Sequence, residues 1–399
     1  MRSSSRRGSE APRRVEAPEP IEGNLTSVAH GGVGFGGPEG QVQGRAGGDP
    51  RRRVGVEVTE RGSRFDRGRV VGVVEAAPGR VEPPCAIAAR CGGCDWQHAD
   101  QATQLELKRA VVAEQLNRLA GIDWEGPVEA VDGGLTGWRT RLRYAVDDDG
   151  RLGFRARRSH EVVPLPSEGC LIAAPHDVAK AAVCATPGGE VIVAIGDDGT
   201  SGVGGRGRFG PDPVAETALG RRFEVGVQGF WQVHERAAET LTRAVLDGLG
   251  PRAGERALDL YCGVGLFAGA LVDAGCEVFG AEFGRAAVRQ ARLNVPEARF
   301  VAADLSKNLS ALPAEADIVV LDPPRKGAGE KAVRAVAAMA PRAVAYVACD
   351  PAALARDLAF FAREGYAPSS IRAFDLFPMT HHVECVAVLV RTDLGQSDL

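Results

Sequence analysis

The chain has 399 residues, 44% hydrophobic and 25% charged, which predicts two or three globular domains and excludes a peptide, a disulfide mini-protein or a wholly disordered chain. Lys plus Arg number 48 against 52 Asp plus Glu, a net charge of -4, so overall charge does not mark a nucleic-acid binder and any RNA contact must come from local patches. Only 5 of the 48 basic residues are lysine, so arginine richness is itself a weak signal.

Residues 1–20 are rich in Ser, Arg and Pro with no apolar signal core, and are read as a solvated, disordered tail. No run of about 18 apolar residues is present anywhere, so no membrane partner is expected. Nine cysteines are an odd number and too few for a disulfide scaffold, which points to a reduced cytoplasm; a monomer is expected. Residues 21–80 read as short β-prone runs broken by glycines, such as Val54 to Thr59 and Arg69 to Glu75, and fit a small OB-like barrel.

Residues 81–229 form a central β-rich region. It opens with Cys85-x5-Cys91-x2-Cys94, three thiols close enough in the chain for one metal centre, and Cys170 is a candidate fourth ligand. Four thiolates suit zinc or an iron-sulfur cluster, and spacing alone does not separate them. A helix is predicted from Asp100 to Gly121, with Leu105, Val112, Leu116 and Leu119 at helical spacing. Trp138 to Pro166 alternates as strands around the turn Asp147-Asp148-Asp149-Gly150, and Gly196 to Gly210 reads as a glycine-rich loop. Arg139, Arg141, Arg143, Arg151, Arg155, Arg157 and Arg158, with Tyr144 and Phe154 among them, are candidates to line an RNA path or form a solvated face.

Residues 230–399 switch to a strand-helix rhythm, with apolar runs ending at Leu258, Gly280, Ala302, Leu321 and Ala348. That is an α/β doubly wound, mostly parallel sheet, whose ligands sit beyond the carboxyl ends of the strands. Asp259-Leu260-Tyr261-Cys262-Gly263-Val264-Gly265 closes the first strand, and its glycines allow close approach of a ligand. Gly263-x-Gly265-x-x-Ala268 also fits a dinucleotide loop, with Glu282 placed to grip a ribose. Asp259, available for a cationic amino-acid head, and Asp304, available for an adenine amine or as a helix N-cap, favour S-adenosylmethionine over NAD.

Two further loops carry chemistry. Asp322-Pro323-Pro324-Arg325-Lys326-Gly327 is stiffened by its prolines so that Asp322 aims at one place. Cys349, at the end of a strand and just before a helix starting at Pro351, is expected to have its thiolate favoured by the helix dipole. Glu384, in His381-His382-Val383-Glu384-Cys385, stands at the edge of a buried strand and suits a general base. A thiolate beside a methyl donor suits uracil: addition at carbon 6 makes carbon 5 nucleophilic, and a base then removes its proton.

In these motifs, taken in order with Phe230-Trp231-Gln232, the chain resembles the RNA 5-methyluridine (uracil-5-) methyltransferases, in particular the 23S rRNA branch with an N-terminal TRAM domain and a 4Fe-4S cluster. The resemblance runs from about Ile21 to Arg391. It implies a class I, Rossmann-like methyltransferase domain, a cluster on Cys85, Cys91, Cys94 and Cys170, S-adenosylmethionine contacts from Gln232, Tyr261, Glu282 and Asp322 with Asp304, Cys349 as nucleophile and Glu384 as base. The implied partner is 23S rRNA or tRNA, with the target uridine flipped out of the fold. The chain departs from the family at His234, Leu266, Ala348 and Asp350, and in a polar, Arg-rich stretch from Gly44 to Arg53 where a strand and turn are usual. Two other readings stay open: an RNA-binding or assembly protein without turnover, and a methyltransferase acting on an amine or small molecule.

Overall fold

The computed structural model describes residues 13–14, 21–29, 33–36, 42–45, 52–61 and 66–393. They fall into two compact units, Met1–Pro84 with Cys94–Val111 and Met379–His381, and Cys85–Gly93 with Val112–Pro378 and His382–Leu399.

The first unit carries β1 (Arg13–Arg14), β2 (Ile21–Ala29), β3 (Val33–Gly36), β4 (Val42–Arg45), β5 (Arg52–Arg61) and β6 (Asp66–Glu75). They are ordered β1-β5-β2-β3-β4-β6, and β5 also pairs with β6, so β5, β2, β3, β4 and β6 form a closed ring. Val54, Val56 and Val58 are buried, every second residue of β5, as a one-sided strand requires. Arg13 and Arg14 pair with Arg61 and Glu60, so this part of the expected tail is a strand: β2 covers only the first half of that edge of β5, leaving its far end to accept a second short strand. Residues 46–51, the core of the divergent stretch, lie outside the described residues.

Helix α1 (Gln101–Ala120) matches its predicted span. Asp100 Oδ1 caps it by accepting from Thr103 N at 2.8 Å, and Gly121 ends it at φ +67°. The buried stripe differs from the predicted one. It comprises Gln104, Leu107, Lys108, Val111, Val112, Gln115 and Leu116, whereas Leu119 is exposed. Its polar members are each partnered: Gln104 bonds Ala99 O and Met379 N, both at 2.8 Å, Lys108 Nζ lies 5.9 Å over the Trp96 ring, and Gln115 accepts from Arg118 at 2.7 Å; a hydropathy pattern is blind to such pairing.

In the second unit β7 (Val128–Ala130) precedes an antiparallel sheet of order β10-β9-β8-β11-β12-β13. Its strands are β8 (Arg141–Val146), β9 (Leu152–Arg155), β10 (Val162–Pro164), β11 (Glu190–Gly196), β12 (Gly199–Gly204) and β13 (Gly207–Phe209), with α2 (Val178–Val183) over a core of Leu142, Tyr144, Val146, Val191 and Val193. The expected loop from Gly196 to Gly210 is therefore largely strand. Its glycines serve close packing: a Cβ on Gly196 would lie 2.3 Å from Ala215 O, and one on Gly204 2.5 Å from Cys184 O.

A hairpin of β14 (Val214–Ala218) and β15 (Arg221–Val225) follows, and its Glu216 bonds Arg141 at 2.7 Å, both side chains buried. Arg141→Met is expected to destabilise the protein by about 3–5 kcal/mol, because it strands a buried carboxylate, and Arg141→Met with Glu216→Leu is expected to recover most of that loss in urea denaturation.

The remaining elements build the large sheet: α3 (Ala237–Leu249), β16 (Arg256–Leu260), α4 (Leu266–Asp273), β17 (Glu277–Glu282), α5 (Arg285–Asn294), β18 (Arg299–Ala302), β19 (Ile318–Leu321), α6 (Glu330–Ala338), β20 (Ala343–Ala348), α7 (Pro351–Arg363), β21 (Tyr366–Asp375) and β22 (Glu384–Arg391). The order is β18-β17-β16-β19-β20-β22-β21-β7; the first five strands are parallel and β22 runs against β20. This is the doubly wound sheet expected from the sequence, with β19 and β20 buried along their whole length. β16 and β17 run two residues past their predicted ends, to Leu260 and Glu282. Between β16 and β19 the chain order reverses, which opens a crevice at their carboxyl ends.

Candidate active site

The register of β16 with β17 and β19 aligns Leu260 with Ala281 and with Leu321, so Tyr261, Glu282 and Asp322 emerge side by side at one end of the sheet. Asp259 is fully buried; its Oδ2 accepts from Ala268 N at 2.9 Å, and its Oδ1 has no hydrogen-bond partner among the described residues. Tyr261 sits at φ +63°, a strained setting for an aromatic residue. Gly263 (φ +54°) has nothing within 4 Å of where a Cβ would stand, which leaves the loop open to close approach. Glu282 accepts from Gly263 N at 3.3 Å and from Gly284 N at 2.8 Å, tying the two loops together.

Gln232 is buried just ahead of α3. Two residues on, His234 stacks on Trp138 with ring centroids 5.6 Å apart. Burial pushes its pKa down to about 4. Its Nδ1 accepts from Arg236 N at 3.1 Å, so this neutral ring carries its proton on Nε2. Asp304 opens a turn: its Oδ1 accepts from Ser306 N at 3.1 Å and Ser306 Oγ at 2.6 Å, and Lys307 lies 3.2 Å from Oδ2. These contacts hold its carboxyl below the usual range, and it caps no α-helix, the next one in the chain starting at Glu330.

The two candidate reacting groups meet across β20 and β22. Ala348 pairs with Cys385, which brings Cys349, at the end of one strand, against Glu384, at the start of the other. Asp350 caps α7 by accepting from Ala353 N at 2.8 Å, so the Asp in the family's usual Asn position still starts that helix. The expected thiolate stabilisation is overturned. Burial, then Glu384, Asp322 and Asp350, push Cys349 up to about 12, against Arg325 alone. A helix terminus does not outweigh desolvation beside three carboxylates. Glu384 is 5% exposed, and burial followed by Asp322 holds its pKa well above the usual carboxylate range. Arg325, which also reaches His382 Nε2 at 3.5 Å, opposes both shifts.

Asp259, Glu282, Asp322 and Glu384 form one coupled acidic group: Glu282 and Asp322 raise Asp259, Glu282 raises Asp322, and Asp322 raises Glu384. Such a crevice favours a cation and repels a pyrophosphate, which separates S-adenosylmethionine from NAD on electrostatic grounds. The orphaned Asp259 Oδ1 and the open space over Gly263 fit a ligand with an ammonium group. Asp322 is pushed up to about 7 by burial and Glu282. Protonation below that value removes negative charge, so S-adenosylmethionine is expected to bind severalfold more tightly at pH 8 than at pH 6, and the thioether product, which lacks the sulfonium charge, to show a shallower dependence in calorimetry.

Cys85, Cys91 and Cys170 lie in the second unit within electrostatic reach of one another, and Cys94 belongs to the first. Burial raises Cys91 and Cys170, while Gly93 N donates to Cys91 Sγ at 3.4 Å and the Ile172 and Ala173 amides donate to Cys170. Amide donors on buried thiols fit thiolate ligation in donor type. Among the described residues, no three His, Cys, Asp or Glu side chains converge as a metal cage.

The arginine group is narrower than its sequence. Arg141 is buried on Glu216, Arg143 and Arg155 share Glu190 at 2.8 and 3.1 Å, and Arg151 pairs with Asp147 and Asp149. Tyr144 is a core residue, 5.1 Å from Phe154 between ring centroids and bonded to His176 at 2.8 Å, so it offers no face for stacking on a base.

An uncharacterized RNA methyltransferase of Streptomyces avermitilis is 45% identical over 93% of this chain and 98% of its own length. The 23S rRNA (uracil(1939)-C(5))-methyltransferase of Pseudomonas aeruginosa is 33% identical over 91% of this chain and 92% of its own. The chain belongs to the RNA (uracil-5-)-methyltransferase family. The tRNA (Uracil-5-)-methyltransferase family profile matches residues 307–392, the stretch holding Asp322, Arg325, Cys349 and Glu384. The fold is that of the Pyrococcus abyssi tRNA (uracil-54, C5)-methyltransferase solved with S-adenosyl-L-homocysteine, with TM-score 0.71, 24% identity, and 92% of this chain and 99% of that one covered. Within this family site Arg325 is the residue that sequence reasoning passed over. Its signal was its place as the first cation after two prolines in the loop that opens with Asp322.

Proposed function

We propose that the protein methylates carbon 5 of a uridine in structured RNA, 23S rRNA ahead of tRNA, through a covalent adduct between Cys349 Sγ and carbon 6. The observation that carries this reading is the meeting of Cys349 and Glu384 across β20 and β22, beside an acidic crevice. S-adenosylmethionine, when bound, supplies a methyl group on a sulfonium centre. Gln232, Asp259, Tyr261, Glu282 and Asp322 hold it, with Gly263 leaving room for it, Gly265 letting the turn pack on Val295, and Asp304 nearby. Cys349 Sγ adds to carbon 6, carbon 5 takes the methyl group, Glu384 removes the carbon 5 proton, and the carbon 6 to sulfur bond then breaks. Glu384's raised pKa makes it a strong base once ionised.

The uridine must leave its stack to present the ring to Sγ. Cys85, Cys91, Cys94 and Cys170 hold a 4Fe-4S cluster in this reading, and the closed ring of β-strands serves as a TRAM-type RNA contact. Arg157 and Arg158 supplement it with charge. In RNA from cells lacking the protein, one 5-methyluridine is expected to disappear and to return with the wild-type chain. Unchanged 5-methyluridine in both rRNA and tRNA contradicts the proposal.

A further inference from the structure

We infer that Asp357 is a positioning residue that holds the loop bearing Asp322 and Arg325 in register with Cys349. Asp357 lies in α7, is fully buried, and touches none of the reacting groups assigned above. Its Oδ2 accepts three hydrogen bonds: from Ala328 N at 2.7 Å, from Gly329 N at 3.1 Å and from Tyr346 Oη at 2.5 Å. Ala328 N also donates to Tyr346 Oη at 3.0 Å. One residue earlier in α7, Arg356 Nη2 donates to Lys326 O at 2.7 Å.

The turn is shaped to receive this carboxylate. Gly327 and Gly329 both sit at φ +80°, and a Cβ on Gly327 would lie 2.6 Å from Asp357 Oδ2. The bonds join three parts of the chain: residues 326–329, Tyr346 of β20, and α7. Cys349 stands between the last two, three residues after Tyr346 and two before the helix begins. Arg325 directly precedes Lys326, whose carbonyl Arg356 holds, and stands three residues before Ala328, so these bonds fix the backbone from which its side chain extends and with it the distance to Cys349.

That distance matters because of what faces the thiol. Glu384 from β22, Asp322 from the loop and Asp350 from the start of α7 all disfavour the thiolate, and Arg325 is the one charge that favours it. A buried carboxylate with three donors, bonded to a turn that a neutral apolar side chain would leave with unmet amides, is costly unless the exact placement of that turn is needed.

The inference rests on the proposed function only in taking Cys349 as the nucleophile, so the decisive readout avoids RNA. Iodoacetamide alkylation of the Cys349 peptide is followed by mass spectrometry against pH in the full-length wild type, Asp357→Asn and Tyr346→Phe. In Asp357→Asn, alkylation at pH 8 is expected to slow by about tenfold, with Tyr346→Phe between the two proteins. Buried Cys262 and Cys276 serve as internal controls and are expected to stay unreactive throughout.

A Cys349 profile identical to wild type in both variants overturns the inference. So does a general rise in alkylation that includes Cys262 and Cys276, the mark of a merely structural aspartate. If Asp357→Asn does not fold, Tyr346→Phe, which removes a single donor, decides by the same shift. Uridine methylation by the wild type is assayed in parallel. Its absence with the alkylation shift intact sinks the proposed function and leaves this inference standing.

Discussion

Cys349→Ala is expected to lower RNA methylation by a factor on the order of ten thousand or more, with the folded protein retained. The side chain is half-buried and small, so its loss removes little packing. In the proposed mechanism it removes the atom that adds to carbon 6, without which carbon 5 of uracil is too poor a nucleophile to take a methyl group. Transfer of labelled methyl from S-adenosylmethionine into RNA checks this, together with a thermal melt. Unchanged turnover would instead mark an amine or small-molecule methyltransferase, whose acceptor needs no thiol.

Glu384→Gln has a different signature. The amide keeps the shape of a residue that is 5% exposed, and it abolishes a charge that disfavours the neighbouring thiolate. Addition and methyl capture are therefore expected to proceed, and elimination to stall. Multiple turnover is expected to fall by about a thousandfold, within the upper range for loss of a general base, while a methylated RNA-protein conjugate accumulates on denaturing gels. Rapid, complete turnover in this variant contradicts the assigned role.

Much of the site was legible in the sequence because a parallel sheet gathers the ends of its strands. Asp259, Glu282, Asp322 and Cys349 each follow an apolar run, and once the runs are strands these residues, the last or near-last of β16 and β17 and the first after β19 and β20, gather at one end of the sheet. The pairing of Cys349 with Glu384 needed the antiparallel return of β22, which the chain order alone does not fix. Protonation was not legible. A helix start beside Cys349 pointed to a stabilised thiolate, but burial, together with Glu384 and Asp322 brought from elsewhere in the chain and the adjacent Asp350, reverses the balance.

Other differences share a cause: contacts distant in sequence. Arg141 reads as surface charge until Glu216 covers it, and Tyr144 reads as a stacking platform until His176 and Phe154 enclose it. Glycines from Gly196 to Gly210 mimic a loop because close backbone neighbours, which the local sequence does not reveal, are what demand them. Asp357 left no motif at all, since its partners are amides of a turn some 28 residues away.

The covalent step is tested most directly with RNA in which 5-fluorouridine replaces uridine. Fluorine at carbon 5 is not removed as a proton is, so the chain and RNA are expected to remain joined, and digestion to yield a methylated fluoropyrimidine on the Cys349 peptide. An enzyme that methylates normal RNA yet forms no such conjugate, or forms it at another residue, contradicts the account.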